Sequence, residues 1–170
     1  MMPNVIVING SPRKSKGHTA FVTQPFVKGM QEAGAKVDLY YVNDLNIKPC
    51  ECGVMYCWTK TPGKCIYKDD MTMMYEKFKE THMLIFSTPV YIPLPGKMQN
   101  FLNRICPILN PKLRIEEGRT RAILRDDIPI NKFGIIATGG WWEIGNLDTI
   151  VRVIDEIAKD AGIEFIPPIL

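Results

Sequence analysis

Short apolar runs and amphipathic stretches alternate along the whole chain. Val5-Ile6-Val7-Ile8 is a run of β-branched residues, as expected for a strand buried on both faces. A helical pattern opens near His18 and covers 20–33, with Phe21, Val22, Phe26, Val27 and Met30 at its apolar positions. Pro25 falls early enough to be tolerated, and Gly34 ends the helix. A second strand is predicted over 36–42. Asp69 or Asp70 caps a Met-rich helix that runs to about Thr81. The MLIFS run over 83–87 predicts a third buried strand, and 95–109 a third helix. A fourth strand is predicted over 133–137. A fourth helix over 145–161 carries Ile150, Val151, Ile154 and Ile157, and a fifth strand covers 163–166.

Strands alternating with helices predict an α/β fold, a doubly wound parallel sheet with helices on both faces. Five strands suit the flavodoxin-like order 2-1-3-4-5, in which ligand loops follow strands one, three and four at the carboxyl edge. At 170 residues the chain is read as a single domain, 1–170, with a Cys-rich loop at 48–68 and an insertion at 110–132. Leu170 follows the fifth strand directly, where this fold class normally adds a helix. The final helix is therefore expected to be missing, with the chain shortened or that face covered by a partner.

The odd loops fall at those three positions. NGSPRKSKGHT, residues 9–19, joins the first strand to the first helix. It is neither GxxxxGK[ST] nor GxGxxG. Ser11, Ser15 and Thr19 at a helix start, with Arg13 for charge, suit a single phosphomonoester such as that of FMN. The alternative is an ordinary turn with Ser15 or Thr19 as helix cap. The second loop, 87–96, is stiffened by Pro89, Pro93 and Pro95 and presents Tyr91 to a flat ring, or serves only as a stiff connection. The third loop has Gly139 and Gly140 for close backbone approach, and Trp141 and Trp142 as stacking surface. One tryptophan is expected in the core and the other over a ligand.

Composition narrows the partners. Hydrophobic content of 46% and charged content of 23% are ordinary for a globular protein. A net charge of +3 without a dense Lys/Arg block argues against nucleic acid. No signal-peptide pattern and no apolar run of ~18 residues is present, so a cytoplasmic protein without a membrane partner is expected. In that compartment the five cysteines are free, metal-bound or redox-active rather than structurally paired. Cys50, Cys52, Cys57 and Cys65 lie close enough to hold a [4Fe–4S] cluster, a remnant of one with free thiols or a disulfide, or zinc. Cys106 is read as a small core residue. The turn from Trp58 to Gly63 is read as loop scaffold. In the insertion, arginines at 114, 119, 121 and 125 face acids at 116, 117, 126 and 127, which predicts a solvated face or a subunit contact.

Together NGSPRKSKGHT, CWTKTPGKC, KDDM at 68–71, STPVY at 87–91 and the Gly139-Gly140 loop resemble the NAD(P)H-dependent FMN reductase family and its iron–sulfur flavoprotein branch. The resemblance implies that Ser11, Arg13, Gly17, His18 and Thr19 surround the FMN phosphate. It implies Pro89, Val90, Tyr91 and Ile92 along the ribityl chain and ring, and Thr138, Gly139, Gly140 and Trp141 on the other side. It further implies hydride acceptance from NAD(P)H, transfer to a small-molecule or protein acceptor, and a homodimer or homotetramer whose partner subunit completes the flavin site. No catalytic side chain is expected. Two other functions stand beside it: an iron–sulfur flavoprotein carrier fed by a ferredoxin-like partner, and a thiol-based redox sensor. The chain departs from the family in three places. His18 stands where asparagine is frequent. Gln99, Asn103 and Arg104 replace a lysine–aspartate–arginine set, which puts its salt bridge in doubt. The cysteine spacing is CxC rather than CxxC, which predicts no intact cluster in aerobically handled protein.

Overall fold

The computed structural model describes residues 2–170. In chain order its elements are β1 (Asn4–Asn9), α1 (His18–Glu32), β2 (Lys36–Tyr41), α2 (Tyr56–Thr59), α3 (Met71–Phe78), β3 (Met83–Pro89), α4 (Gly96–Asn103), β4 (Leu109–Glu116), β5 (Arg119–Leu124), β6 (Lys132–Thr138), α5 (Asp148–Ala161) and β7 (Glu164–Phe165). Five strands form one parallel sheet in the order β2-β1-β3-β6-β7. With the hairpin β4–β5 set aside, this is the expected 2-1-3-4-5 order. Ile8 pairs with Phe86, and Phe86 with Ile135, so the buried apolar centres of the three inner strands lie abreast.

The side-chain alternation of each strand divides the core. Ile6, Ile8, Leu84, Phe86, Phe133 and Ile135 point to the face covered by α3, α4 and α5, where Met71, Met74, Phe78, Met98, Phe101, Ile150 and Ile154 pack. Phe86 and Phe133 meet edge to face, with ring centroids 5.5 Å apart. Val5, Val7, Ile85 and Ile136 point to the other face, against Phe26, Val27 and Met30 of α1. Phe21 and Val22, also expected on the apolar side of α1, are exposed. The residues that α1 buries at its start are Thr19, Ala20 and Thr23.

Several boundaries differ from those predicted. The third helix ends at Asn103 rather than 109. Pro107 has no N–H for the Asn103 carbonyl and its ring would strike that turn, so the chain makes a tight turn over Cys106–Ile108 instead. The fifth strand is only Glu164–Phe165, because Pro167 and Pro168 cannot donate to the ladder. Bonding resumes beyond them, where Ile169 N–H donates to the Ile135 carbonyl (3.0 Å) and Ala137 N–H to the Ile169 carbonyl (2.8 Å). The insertion is an antiparallel hairpin turning at Glu117 (φ 50°) and Gly118 (φ 72°). Its charges pair within the chain. Arg121 reaches Asp160 (2.6 Å) and Glu156 (3.1 Å) on α5, which corrects the expectation of a solvated face or subunit contact for that residue.

Candidate functional site

The first loop is built around buried Ser11 and buried Gly17. Asn9, at the end of β1, accepts the Ser11 N–H through Oδ1 (2.8 Å), and Ser11 Oγ accepts the Arg13 N–H (3.3 Å). Lys14 takes a left-handed conformation (φ 52°) and pairs with Asp44. Gly17 lies so close to Ser11 Oγ that any Cβ there would collide with it. The chain then enters α1 with no side-chain cap and no acidic residue in the first turn. Ser15 and Thr19 are thus not the caps of an ordinary turn. The Ala20 N–H turns back to the Gly17 carbonyl (2.9 Å), and the N–H groups of His18 and Thr19, with the positive end of the α1 dipole, suit an anion. Arg13, Ser15 and His18 are exposed around this spot, while Ser11 and Thr19 form its floor.

The three loops are tied together. Thr19 and Thr138 hydroxyls share a 2.7 Å hydrogen bond between α1 and the end of β6. Val90 N–H donates to the Thr138 carbonyl (2.8 Å), and Gly10 N–H to the Ser87 carbonyl (2.7 Å). Thr23 bonds the Thr19 carbonyl (2.7 Å) and also the Ser87 hydroxyl. A Cβ on Gly10 would come within 2.8 Å of Met98, so the strand end and α4 meet at backbone distance.

Beside this knot lies a cleft of about 530 Å³ between the second and third loops. Its walls are Val90, Tyr91, Ile92 and Pro93 on one side and Gly139, Gly140 and Trp141 on the other, with Asn146 and Thr149 closing the end. That size falls in the range of small-molecule and cofactor sites. Pro89 and Thr138 end their strands just behind it. Asn146 and Thr149 were not anticipated. They follow the Gly-Gly loop at the start of α5, where ligand-facing polar groups are common, and that position was the available signal. Neither tryptophan is in the core: Trp141 is 79% and Trp142 92% exposed. The Trp142 indole N–H donates to Glu143 (2.9 Å).

The cysteine loop forms a second centre. Cys50, Cys52, Cys57 and Cys65 line one small cavity, and Cys106 joins them from the turn after α4. This corrects the reading of Cys106 as core filler. Its thiol donates to Cys57, which lowers the Cys57 thiol to about 7. The same contact, with burial, pushes Cys106 up. Burial also raises Cys50. Arg104 lies under the cavity with its guanidinium 1% exposed. It donates to Asp69 from Nη1 (2.7 Å) and Nη2 (3.0 Å) and to the Lys48 carbonyl (2.6 Å), and it stacks on Tyr67. Its Nε–H has no partner among the described residues. A buried salt bridge therefore exists here after all, with Asp69 of the KDDM segment as the acid. Asp69 also accepts the Met71 N–H (3.1 Å) at the start of α3. Trp58 and Gly63 brace the loop, as expected of scaffold: Trp58 Nε1 donates to the Cys106 carbonyl (3.4 Å) and Gly63 N–H to the Cys57 carbonyl (3.0 Å).

The two centres differ in fit. The uncapped helix start, the cradle that excludes a Cβ at Gly17 and the adjoining cleft suit a phosphorylated flavin. The cysteine pocket as folded does not suit a cubane cluster. Among the described residues no three Cys, His or carboxylate groups are placed to hold a metal ion. The cavity holds about 10 Å³, near the minimum for one water.

The sheet order, with an uncapped helix start and a cleft on its carboxyl edge, defines a flavodoxin-like domain. The chain belongs to the NADPH-dependent FMN reductase family, whose profile it matches over residues 3–123. It is 33% identical over 117 residues to an iron–sulfur flavoprotein of Methanocaldococcus jannaschii, covering 68% of this chain and 57% of that one. It is 34% identical over 88 residues to an iron–sulfur flavoprotein of Archaeoglobus fulgidus, covering 51% and 42%. The chain thus spans about half the length of the curated relatives it matches. Among solved structures it resembles an NAD(P)H:quinone oxidoreductase from Methanothermobacter marburgensis (TM-score 0.69, 16% identity, 99% of this chain and 85% of the other). It also resembles an FMN-dependent NADH-azoreductase from Bacillus anthracis in complex with FMN (TM-score 0.67, 16% identity, 99% and 85%). At that identity both likenesses establish the fold.

Proposed function

We propose that the protein is an FMN-dependent oxidoreductase that accepts hydride from NAD(P)H and passes electrons to a small-molecule or protein acceptor. The observation that carries this reading is the uncapped N-terminus of α1 standing beside the 530 Å³ cleft of the second and third loops. Bound FMN supplies the hydride and electron chemistry. The chain supplies the rest. Ser11, Thr19 and the first-turn N–H groups hold the phosphate, with Arg13, Ser15 and His18 around it and Gly17 keeping its approach clear. Tyr91 and Trp141 offer flat apolar surface to the ring, and Gly139 and Gly140 allow backbone N–H groups to come close to its edge. No side chain in the cleft is needed to move a proton in hydride transfer.

Ile92 and Trp141 of the cleft walls and the neighbouring Trp142 are 99%, 79% and 92% exposed. A second copy of the chain covering them in a homodimer or homotetramer would shield the ring from water. Among the described residues no helix is long and apolar enough to cross a membrane, which agrees with work in the cytoplasm. The decisive experiment is anaerobic addition of NADPH or NADH to FMN-loaded protein. Bleaching of the flavin absorbance is the expected result. A flavin that stays oxidised with both nucleotides, yet is reduced by dithionite, would favour a carrier fed by a ferredoxin-like partner.

A further inference from the structure

We propose that the outer edge of β4 pairs antiparallel with β4 of a second copy of this chain, joining their hairpins into one continuous sheet. β4 and β5 form a sheet of their own, so the outer edge of β4 meets no further strand among the described residues. Glu117 and Gly118, at φ 50° and 72°, make the two-residue turn in which the flanking Glu116 and Arg119 bond each other. Alternation then turns the Ile115 N–H and C=O away from β5, and those of Leu113 likewise. The strand around them is open. Leu113 and Ile115 are 59% and 82% exposed, and Pro111, Lys112 and Glu116 are exposed as well. A bare edge with unpaired backbone groups is a template for another strand.

The occupant is a second copy because this strand is complementary to itself. With Arg114 on the two-fold axis, Leu113 lies opposite Ile115 of the partner subunit, and Lys112 lies opposite Glu116 of the partner subunit. Apolar meets apolar and cation meets carboxylate on both sides of the axis, the pairings that stabilise neighbouring strands. Leu113 and Ile115 are also the residues whose backbone groups are free, so each of these pairs exchanges both of its bonds. Arg114, which faces its own copy across the axis, is drawn back to Glu116 (2.7 Å) and to the Lys159 carbonyl (3.1 Å). A slip of one residue would set Ile115 against Arg114, whose backbone β5 already uses. Pro111 and the register shift between Asn110 and Arg114 keep the pairing from running further along the strand.

This contact lies away from the flavin cleft. Arg114 and Arg121 tie the hairpin to Lys159 and Asp160 at the end of α5, whereas Thr149 of the cleft stands at its start. Covering of the cleft by one copy and pairing of β4 with another therefore do not compete, and together they build a tetramer. Each isologous contact uses up the same edge on both copies, so the assembly closes instead of growing into a fibre.

The test introduces Leu113→Cys and Ile115→Cys into separate full-length chains, mixes them, oxidises them with copper phenanthroline and maps the cross-links by mass spectrometry. Both positions are exposed, so neither change disturbs the core. A bonded cross-strand pair has Cα atoms about 5.5 Å apart, a spacing that suits a disulfide. Links joining position 113 of one chain to position 115 of the other should dominate. In sedimentation velocity at micromolar concentration, Ile115→Pro should halve the mass of the assembly, because it removes an N–H that β5 does not use. Links of 113 to 113 and 115 to 115 in equal or greater yield would overturn the pairing, as would the absence of links at these positions. An assembly mass that Ile115→Pro leaves unchanged would overturn it too. So would a monomeric unsubstituted chain, which would leave the edge to a strand of another protein. The cross-link map decides even if Ile115→Pro fails to fold. Neither readout involves flavin, so failure here leaves the flavin reading intact.

Discussion

Asp69→Asn should destabilise the fold far more than a typical surface change. The Asp69 carboxylate is fully buried and is the only acid paired with the equally buried Arg104 among the described residues. It accepts from both guanidinium Nη groups, from Lys48 N–H (2.9 Å) and from Met71 N–H (3.1 Å). The substitution keeps the shape but leaves a buried cation without its counter-charge, which costs ~3–5 kcal/mol. A domain of this size stands only ~5–15 kcal/mol above its unfolded state, so Tm should drop by about 6–20 °C. Burial alone would push the Asp69 carboxyl up, but hydrogen bonds from Arg104 and the two backbone N–H groups outweigh it and hold the carboxyl below its ordinary value. A depressed carboxyl stabilises the fold fully above its unfolded value of about 3.9 and loses that contribution as pH falls through the folded value. The gap between the unsubstituted protein and Asp69→Asn should therefore be constant near neutrality and narrow below about pH 4. Urea unfolding followed by circular dichroism at several pH values measures it. A gap under about 1 kcal/mol at pH 7, the range of an exposed ion pair, would show that the Arg104–Asp69 pair does not hold the cysteine loop against the sheet.

Gly17→Ala should weaken FMN binding at least about tenfold, about 1.4 kcal/mol, because the new methyl collides with Ser11 Oγ beneath the phosphate; calorimetric titration checks it, and unchanged affinity would remove Gly17 from the cradle. Gly10→Ala should cost about 1–3 kcal/mol of stability by overpacking against Met98, read from a denaturant midpoint. Alkylation of Cys57 by iodoacetamide should rise through an inflection near its lowered value of about 7, and Cys106→Ala should move that inflection toward the ordinary 9.0. Peptide-resolved labelling rates against pH measure this, and an inflection that stays in place would show that Cys106 does not lower Cys57.

The parallel sheet was legible because its inner strands are short, largely apolar runs and the loops at its carboxyl edge concentrate Gly, Pro and hydroxylated residues. Residues 11–19 suggested a phosphate turn through composition, and the uncapped helix start that supports this reading could be seen only in the folded α1. The hairpin in the insertion was present in the sequence as Glu117-Gly118 between short stretches alternating charged and uncharged residues, 113–116 and 119–122, but charge dominated the reading and hid the period of two. Pro107 marked the early end of α4, yet the apolar pattern continued past it into a turn and a strand. The place of Cys106 was not legible, since it depends on α4 returning the chain to a loop far back in sequence. Asp69 looked like a helix cap because it precedes a helical run, and its pairing with Arg104 is a tertiary contact that no local pattern encodes. One of the two adjacent tryptophans was expected in the core, yet both are exposed because they sit in the loop beyond the end of β6.

The central claim is that the turn at the start of α1 holds a flavin by its phosphate. The most direct measurement is a paired titration of flavin-free protein with FMN and with riboflavin, in the unsubstituted chain and in Arg13→Ala. FMN should bind about a hundredfold tighter than riboflavin, about 2.8 kcal/mol, and Arg13→Ala should weaken FMN while leaving riboflavin nearly unchanged. Equal affinities for the two flavins in the unsubstituted protein would contradict the account.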